Sequence, residues 1–84
     1  MNNWKSLRLD VGLSQAMVSD KLGYSTPQFV SNWERGVSFP PLEVLPELAR
    51  LYKVDKETLF QIYKHEVVKD LHETLDRRWK RTKR

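Results

Sequence analysis

The 84-residue sequence contains no cysteine, only three glycines and four prolines, and no apolar run longer than three residues. The lack of cysteine excludes disulfides, thiolate zinc sites and cysteine nucleophiles. Apolar runs this short cannot cross a membrane, and the first residues lack the apolar region of a signal peptide. We therefore expect one small cytoplasmic domain, which must depend for its stability on helix packing or on a partner chain.

The formal net charge of +4 comes entirely from the end of the chain. Residues 1–66 contain eight basic and eight acidic side chains, whereas residues 67–84 contain seven basic and three acidic ones. Blocks of like charge bind anionic polymers in some proteins and are solvated tails in others, and the charge alone leaves both open. The basic block consists of Arg77, Arg78, Lys80, Arg81, Lys83 and Arg84.

Apolar residues recur at helical spacing, and no stretch alternates apolar and polar residues as a strand would. Ser14, Thr26 and Asp55 are predicted N-caps, and Pro27 fits the first position of a helix. No glycine or proline lies between Glu57 and the C-terminus, so the last helix could continue into a sixth segment. The predicted helices cover about 3–11, 15–22, 27–35, a segment from about 45, and a segment from 56 onward.

Two short predicted helices, joined at Gly23, describe a helix-turn-helix. In the second of them, Val30 and Trp33 lie on one side and point inward. Glutamine and asparagine offer a donor and an acceptor that match adenine, and arginine matches guanine or a phosphate. Considered by itself, the amide-rich outer face of this helix is also consistent with a face that contacts only solvent. Its outer face carries Gln28, Ser31, Asn32 and Arg35.

A longer pattern over residues 4–63 is more specific. It resembles the lambda-repressor-like, Cro-type (XRE family) helix-turn-helix regulators. The resemblance implies an all-α, five-helix DNA-binding domain over residues 1–65, with helix 3 in the major groove of a two-fold related operator bound by a homodimer. Residues 66–84 would then form a helical basic extension. The pattern consists of Leu7-Arg8, Gly12-Leu13-Ser14-Gln15, Leu22-Gly23, the run from Val30 to Gly36, Pro40, and Leu45-x-x-Leu48-Ala49.

The resemblance also implies roles for individual residues. Arg8 and Glu34 match a partly buried ion pair that joins helix 1 to the end of helix 3. The positions that match base contacts are Gln28, Ser31 and Asn32, with Thr26 in the turn before them. Those that match contacts with the DNA backbone are Gln15, Arg35 and the loop through Val37 and Ser38.

Several details leave alternatives open. The turn from Gly23 to Val30 is one residue longer than the commonest spacing in the family, so Thr26, Pro27 or Gln28 could be the residue that reaches the groove floor. Ser19 stands where the family usually has alanine. Phe29 could touch a thymine methyl or pack in support of helix 3. Tyr24 could donate its hydroxyl to a phosphate or cover the turn.

The sequence does not favour an enzyme or a cofactor. His65 and His72 share one helical face, but zinc sites on a helix usually use an i, i+4 pair, so we expect no metal. No glycine-rich phosphate loop, serine elbow or paired-carboxylate cleft is recognisable, and a domain this small has little room for a substrate pocket. Double-stranded DNA is the expected partner.

An apolar stripe on the charged C-terminal segment must pack on something, since such a helix is marginal alone. Either the segment folds back on the core or it pairs with a second copy, and we favour the pairing. A different function remains open: a protein-interaction module, such as an antitoxin, that binds its partner through this extension. The stripe consists of Val68, Leu71, Leu75 and Trp79.

Overall fold

The computed structural model describes residues 3–82, and every regular element in that range is a helix, as predicted. No helix in this range is long and apolar enough to cross a membrane. Lys83 and Arg84, the end of the predicted basic block, lie outside the described residues. The helices are α1 (Trp4–Asp10), α2 (Gln15–Leu22), α3 (Gln28–Glu34), α4 (Leu45–Tyr52) and α5 (Lys56–Thr82), and a single 3-10 turn (Leu42–Val44) precedes α4.

The ends of α2 and α5 follow from local side-chain and backbone chemistry. The Ser14 hydroxyl accepts a hydrogen bond from the Met17 amide at 3.0 Å, and the Asp55 carboxylate accepts from two amides of the first turn of α5. These caps satisfy amides that have no partner inside the helix, as predicted. Gly23 ends α2 with a φ of +86°, a conformation that favours glycine. The chain can therefore turn sharply into α3.

The predicted start of α3 was wrong by one residue. Pro27 occupies the cap position with a ψ of 5°, and its carbonyl accepts the first helical hydrogen bond, from the Ser31 amide at 3.0 Å. The Thr26 hydroxyl is not the helix cap; it accepts a hydrogen bond from the Gln28 amide at 3.3 Å. The helix ends at Glu34 rather than Arg35, and α1 is similarly shorter than predicted at both ends. Such one-residue differences are typical of helix ends.

A single apolar core fixes the position of α3 relative to the other helices. Val30 and Trp33 are buried, as the spacing predicted, and Trp4 meets Tyr63 edge-on with ring centroids 6.5 Å apart. Because one face of α3 is held in this core, its opposite face is directed to the outside. The core consists of Trp4, Leu7, Val18, Val30, Trp33, Leu45, Leu48, Ala49, Tyr52 and Leu59.

The last helix, α5, runs for 27 residues without a break, so the predicted sixth segment is its continuation. Leu59, near its start, is fully buried. The apolar stripe farther along is exposed, with fractions between 45% for Val68 and 68% for Trp79. The chain therefore does not fold this stripe back onto its own core, which removes one of the two arrangements expected from the sequence.

Candidate nucleic-acid interface

A buried polar cluster connects α1, the start of α2 and the end of α3. The Arg8 guanidinium donates two hydrogen bonds to the Glu34 carboxylate, at 2.6 and 3.0 Å, and a third to the Leu13 carbonyl at 2.9 Å. The Gln15 side-chain amide donates to the same carboxylate at 3.0 Å. The Arg8 and Glu34 side chains are only 8% and 4% exposed. The cluster therefore fixes the first residue of α2 against the last residue of α3.

The electrostatics of this cluster favour the charged form of Arg8. The hydrogen bond to Glu34 raises the pKa of Arg8, against the opposing effect of burial. Burial also raises the pKa of the nearby Tyr52 phenol to about 12, and the Glu34 carboxylate adds to that shift. Tyr52 is therefore neutral at physiological pH, and Glu34 has Arg8 as its counter-ion.

The outer face of α3 presents a row of hydrogen-bonding side chains. The Gln28 amide donates to the Asn32 side-chain oxygen at 2.9 Å, and the Arg35 guanidinium donates to the same oxygen at 2.6 Å. Gln28 and Arg35 are exposed, while Ser31 and Asn32 are half-buried. The row of Gln28, Asn32 and Arg35 is thus ordered in advance, and no other element covers it. Its amide and guanidinium groups are of the kind that reads base edges in a major groove.

Aromatic rings support the turn that precedes α3. Tyr24 packs against Phe29, with ring centroids 4.7 Å apart, and meets Trp33 edge-on at 5.9 Å. Phe29 is 52% exposed. The structure therefore gives Phe29 a packing contact and gives Tyr24 a role in covering the turn. A phosphate contact by the Tyr24 hydroxyl stays a prediction.

The loop after α3 folds back on the last turn of that helix. The Val37 amide donates to the Asn32 carbonyl at 2.9 Å, and Gly36 adopts a φ of +75° that lets the chain reverse. Val37 is exposed and Ser38 is half-buried. The loop therefore lies directly beside the outer row. Thr26 is exposed at the opposite end of α3.

Two features of the site were not predicted from the sequence. The first is the contact between Gln15 and Glu34, which joins residues 19 positions apart and has no local signal. The second is a cleft of about 140 Å³ between the loop after α3 and α5, lined by Gly36, Phe39 and Lys69 and by three carboxylates. The carboxylates have the i, i+4, i+7 spacing of one helical face, and they outnumber Lys69, so this edge has a net negative charge that repels phosphates. These carboxylates belong to Glu66, Asp70 and Glu73.

His65 and His72 are both exposed on α5. Among residues 3–82, no three histidine or carboxylate side chains are grouped so that they could hold a metal ion.

Comparison with known proteins gives one family match. A family model described as helix-turn-helix matches residues 5–59. This range contains α1 to α4 and the start of α5, and it confirms the resemblance stated from the sequence over residues 4–63. Neither the curated proteins nor the solved structures gave a match.

Proposed function

Because this chain belongs to the helix-turn-helix family of DNA-binding regulators, we propose that it is a transcriptional repressor that binds a two-fold related operator as a homodimer. In this proposal, α3 lies in the major groove of each half-site. The observation that carries it is the exposed row of Gln28, Asn32 and Arg35 on the side of α3 opposite the buried Val30 and Trp33.

The chemistry of this row supports sequence-specific reading. The Asn32 oxygen already accepts two hydrogen bonds, so its amide nitrogen and the Gln28 amide oxygen are the atoms left for a base. Together they can match the donor and acceptor of adenine. Ser31, between them on the same face, is small enough to let the helix approach closely. Thr26 adds a hydroxyl at the start of α3, where it can reach the groove or its edge.

We assign the contacts with the DNA backbone to residues around this row. Gln15 lies at the start of α2, where unpaired amides and the helix dipole favour a phosphate. Arg35 and Ser38 lie at the other end of the site, and Tyr24 lies at the turn. These contacts set the position of the protein on the duplex and do not depend on base sequence.

Repression follows from binding itself, since a protein seated on a promoter excludes RNA polymerase from the same DNA. Selection of binding sites from random duplexes tests the proposal. The selected sites should share an inverted half-site, with half-site centres about 34 Å apart, one turn of DNA. Recovery of unrelated sequences would rule out base reading by α3.

A protein-interaction module, such as an antitoxin, is the second candidate, and the exposed stripe on α5 favours it. A chain of this kind that touched DNA only through its basic end would bind all sequences equally. Replacing Arg77, Arg78, Lys80 and Arg81 by glutamine would then abolish DNA binding. Under the repressor proposal, the same replacement leaves the selected half-site unchanged and lowers the affinity and the salt dependence of binding equally for all sequences.

A further inference from the structure

The hydrogen bonds of the outer row on α3 run in one direction. The Arg35 guanidinium donates to the Asn32 side-chain oxygen at 2.6 Å, and the Gln28 side-chain amide donates to the same oxygen at 2.9 Å. A guanidinium has N–H donors and no acceptor, whereas an amide side chain can be turned to offer either its oxygen or its nitrogen. Arg35 is therefore the one member of this row that can act only as a donor.

This property of Arg35 sets the orientation of the two amides in turn. Because the guanidinium can only donate, the Asn32 atom that faces it must be the oxygen. That oxygen also faces Gln28, so the Gln28 atom beside it must be the nitrogen. The Asn32 nitrogen and the Gln28 oxygen take part in no hydrogen bond within residues 3–82. The row thus offers DNA a donor from Asn32 and an acceptor from Gln28.

Without Arg35, the opposite orientation of the amides is equally available. If both amides are turned over, the Asn32 nitrogen donates to the Gln28 oxygen, and the two side chains still share one hydrogen bond. The row then offers an acceptor from Asn32 and a donor from Gln28. These two orientations match different bases, because the bases differ in the order of donors and acceptors at their major-groove edges.

The surroundings of Arg35 keep its guanidinium available for this hydrogen bond. Its backbone amide donates to the Ser31 carbonyl at 3.0 Å, which holds the residue at the end of α3. The neighbouring Glu34 is paired with Arg8, and neither ion pair within residues 3–82 includes Arg35. The hydrogen bond to the Asn32 oxygen therefore comes from an unpaired cation, which makes it stronger than a hydrogen bond between neutral groups.

We propose that Arg35 is a positioning residue that determines base preference by orienting the Asn32 and Gln28 amides. The proposal rests on base reading by α3, as in the proposed function, and specifies which bases the row accepts. Gln28 selects a base with an amino group in the major groove, adenine or cytosine, and Asn32 selects an acceptor such as a purine N7. Guanine or thymine in place of the first base would set its oxygen against the Gln28 oxygen.

Competition between two duplexes tests this role. One is the selected operator; in the other, the base at which Gln28→Ala relaxes the preference is changed from adenine to guanine or from cytosine to thymine. Arg35→Gln should reduce the wild-type preference between them roughly tenfold, because its own amide can turn over with the others. Arg35→Lys keeps a donor that has no acceptor and should keep the preference. Arg50→Gln, the same change at an exposed arginine of α4, should have no effect.

Two results of this competition would overturn the proposal. If Arg35 contacts only a phosphate, Arg35→Gln lowers the affinity for both duplexes by the same factor and leaves the preference unchanged. If Arg35→Lys loses as much preference as Arg35→Gln, the donor character of this side chain does not determine the base.

NMR of the free protein measures the orientation without DNA. The side-chain amide proton shifts of Gln28 should depend less on temperature than those of Asn32, as expected when only the Gln28 amide donates within the protein. In Arg35→Gln this difference should disappear, and its persistence would overturn the proposal. The expected NMR result in a chain that selects no DNA sequence would contradict the proposed function and not the orienting role of Arg35.

Discussion

The Arg8 guanidinium and the Glu34 carboxylate are held together by two hydrogen bonds, although the residues are 26 positions apart in the sequence. Their side chains are almost completely buried. Arg50 and Glu47 form the other ion pair within residues 3–82, at 3.1 Å, with side chains that are 75% and 39% exposed. The second pair is largely exposed and has fewer hydrogen bonds, so it serves as the comparison for the buried one.

Removing one partner of the buried pair should destabilise the protein strongly. Arg8→Ala leaves the Glu34 carboxylate buried without its counter-ion, and we expect a loss of about 3–5 kcal/mol in the free energy of unfolding. Arg50→Ala is the control and should cost less than about 1 kcal/mol. Urea denaturation measures both values. Similar small losses for the two variants would show that the buried pair does not stabilise the fold.

Base preference should depend on the amides of the outer row. Gln28→Ala and Asn32→Ala should each cost roughly 1–3 kcal/mol of binding to the selected operator and relax the preference at one base pair. The two losses should not add, because the side chains are hydrogen-bonded to each other. Competition between operator and mutated duplexes measures them, with Gln61→Ala, an exposed amide on α5, as the control. A uniform loss on all sequences would contradict base reading.

Gln15→Ala should weaken binding to the operator and to random DNA by the same factor. Its proposed partner is a phosphate, which carries no sequence information. The variant also loses the hydrogen bond to Glu34, so its stability should fall by about 1 kcal/mol. Filter binding to both kinds of duplex, at one salt concentration, checks the ratio. A change in the specificity ratio would place Gln15 at a base instead.

Ser19→Ala should stabilise the protein by about 1 kcal/mol. Ser19 is only 2% exposed, and its hydroxyl has no hydrogen-bond partner among the residues that the structure describes. Replacing it removes a buried polar group without a partner, and alanine is also the better helix former. Thermal unfolding measures the gain, and Ser25→Ala, in the exposed turn nearby, should give none. A lower melting temperature for Ser19→Ala would show that the hydroxyl is satisfied.

Stability should fall at alkaline pH through Tyr52. Its pKa is raised from 10 in the unfolded chain to about 12 in the folded one. Below pH 10 the phenol is neutral in both states; between pH 10 and 12 the unfolded state ionises first, so stability decreases as the pH rises. The full effect is about 3 kcal/mol, from two pKa units at about 1.4 kcal/mol each. Urea unfolding of wild type and Tyr52→Phe across this range should show a smaller decrease for the variant.

The sequence was sufficient to predict the helices and the faces they bury. The caps at Ser14 and Asp55 are local signals, and the inward positions of Val30 and Trp33 on α3 follow from the 3.6-residue period. The start of α3 was predicted one residue too early. Thr26 is a good N-cap by residue type, but Pro27 occupies the cap position in the structure.

The rest depended on tertiary contacts. The hydrogen bond from Gln15 to Glu34 and the acidic cleft beside Phe39 join segments that are distant in the sequence. Periodicity identifies the apolar stripe on α5, but only the packing of Leu59 and Tyr63 shows that the stripe faces away from the core. The pattern of one sequence predicts which face of a helix is apolar. It does not predict which other element packs against that face.

The uninterrupted length of α5 makes it a rod of about 40 Å, anchored in the core at one end. If the α5 helices join the two subunits, no flexible hinge separates their contact region from the helix-turn-helix of each subunit. Inserting one residue in mid-helix would swing the far end by about 100° and advance it by about 1.5 Å. The length of α5 would then set the distance between the two half-sites, so a variant with a longer α5 would bind an operator with a different half-site spacing.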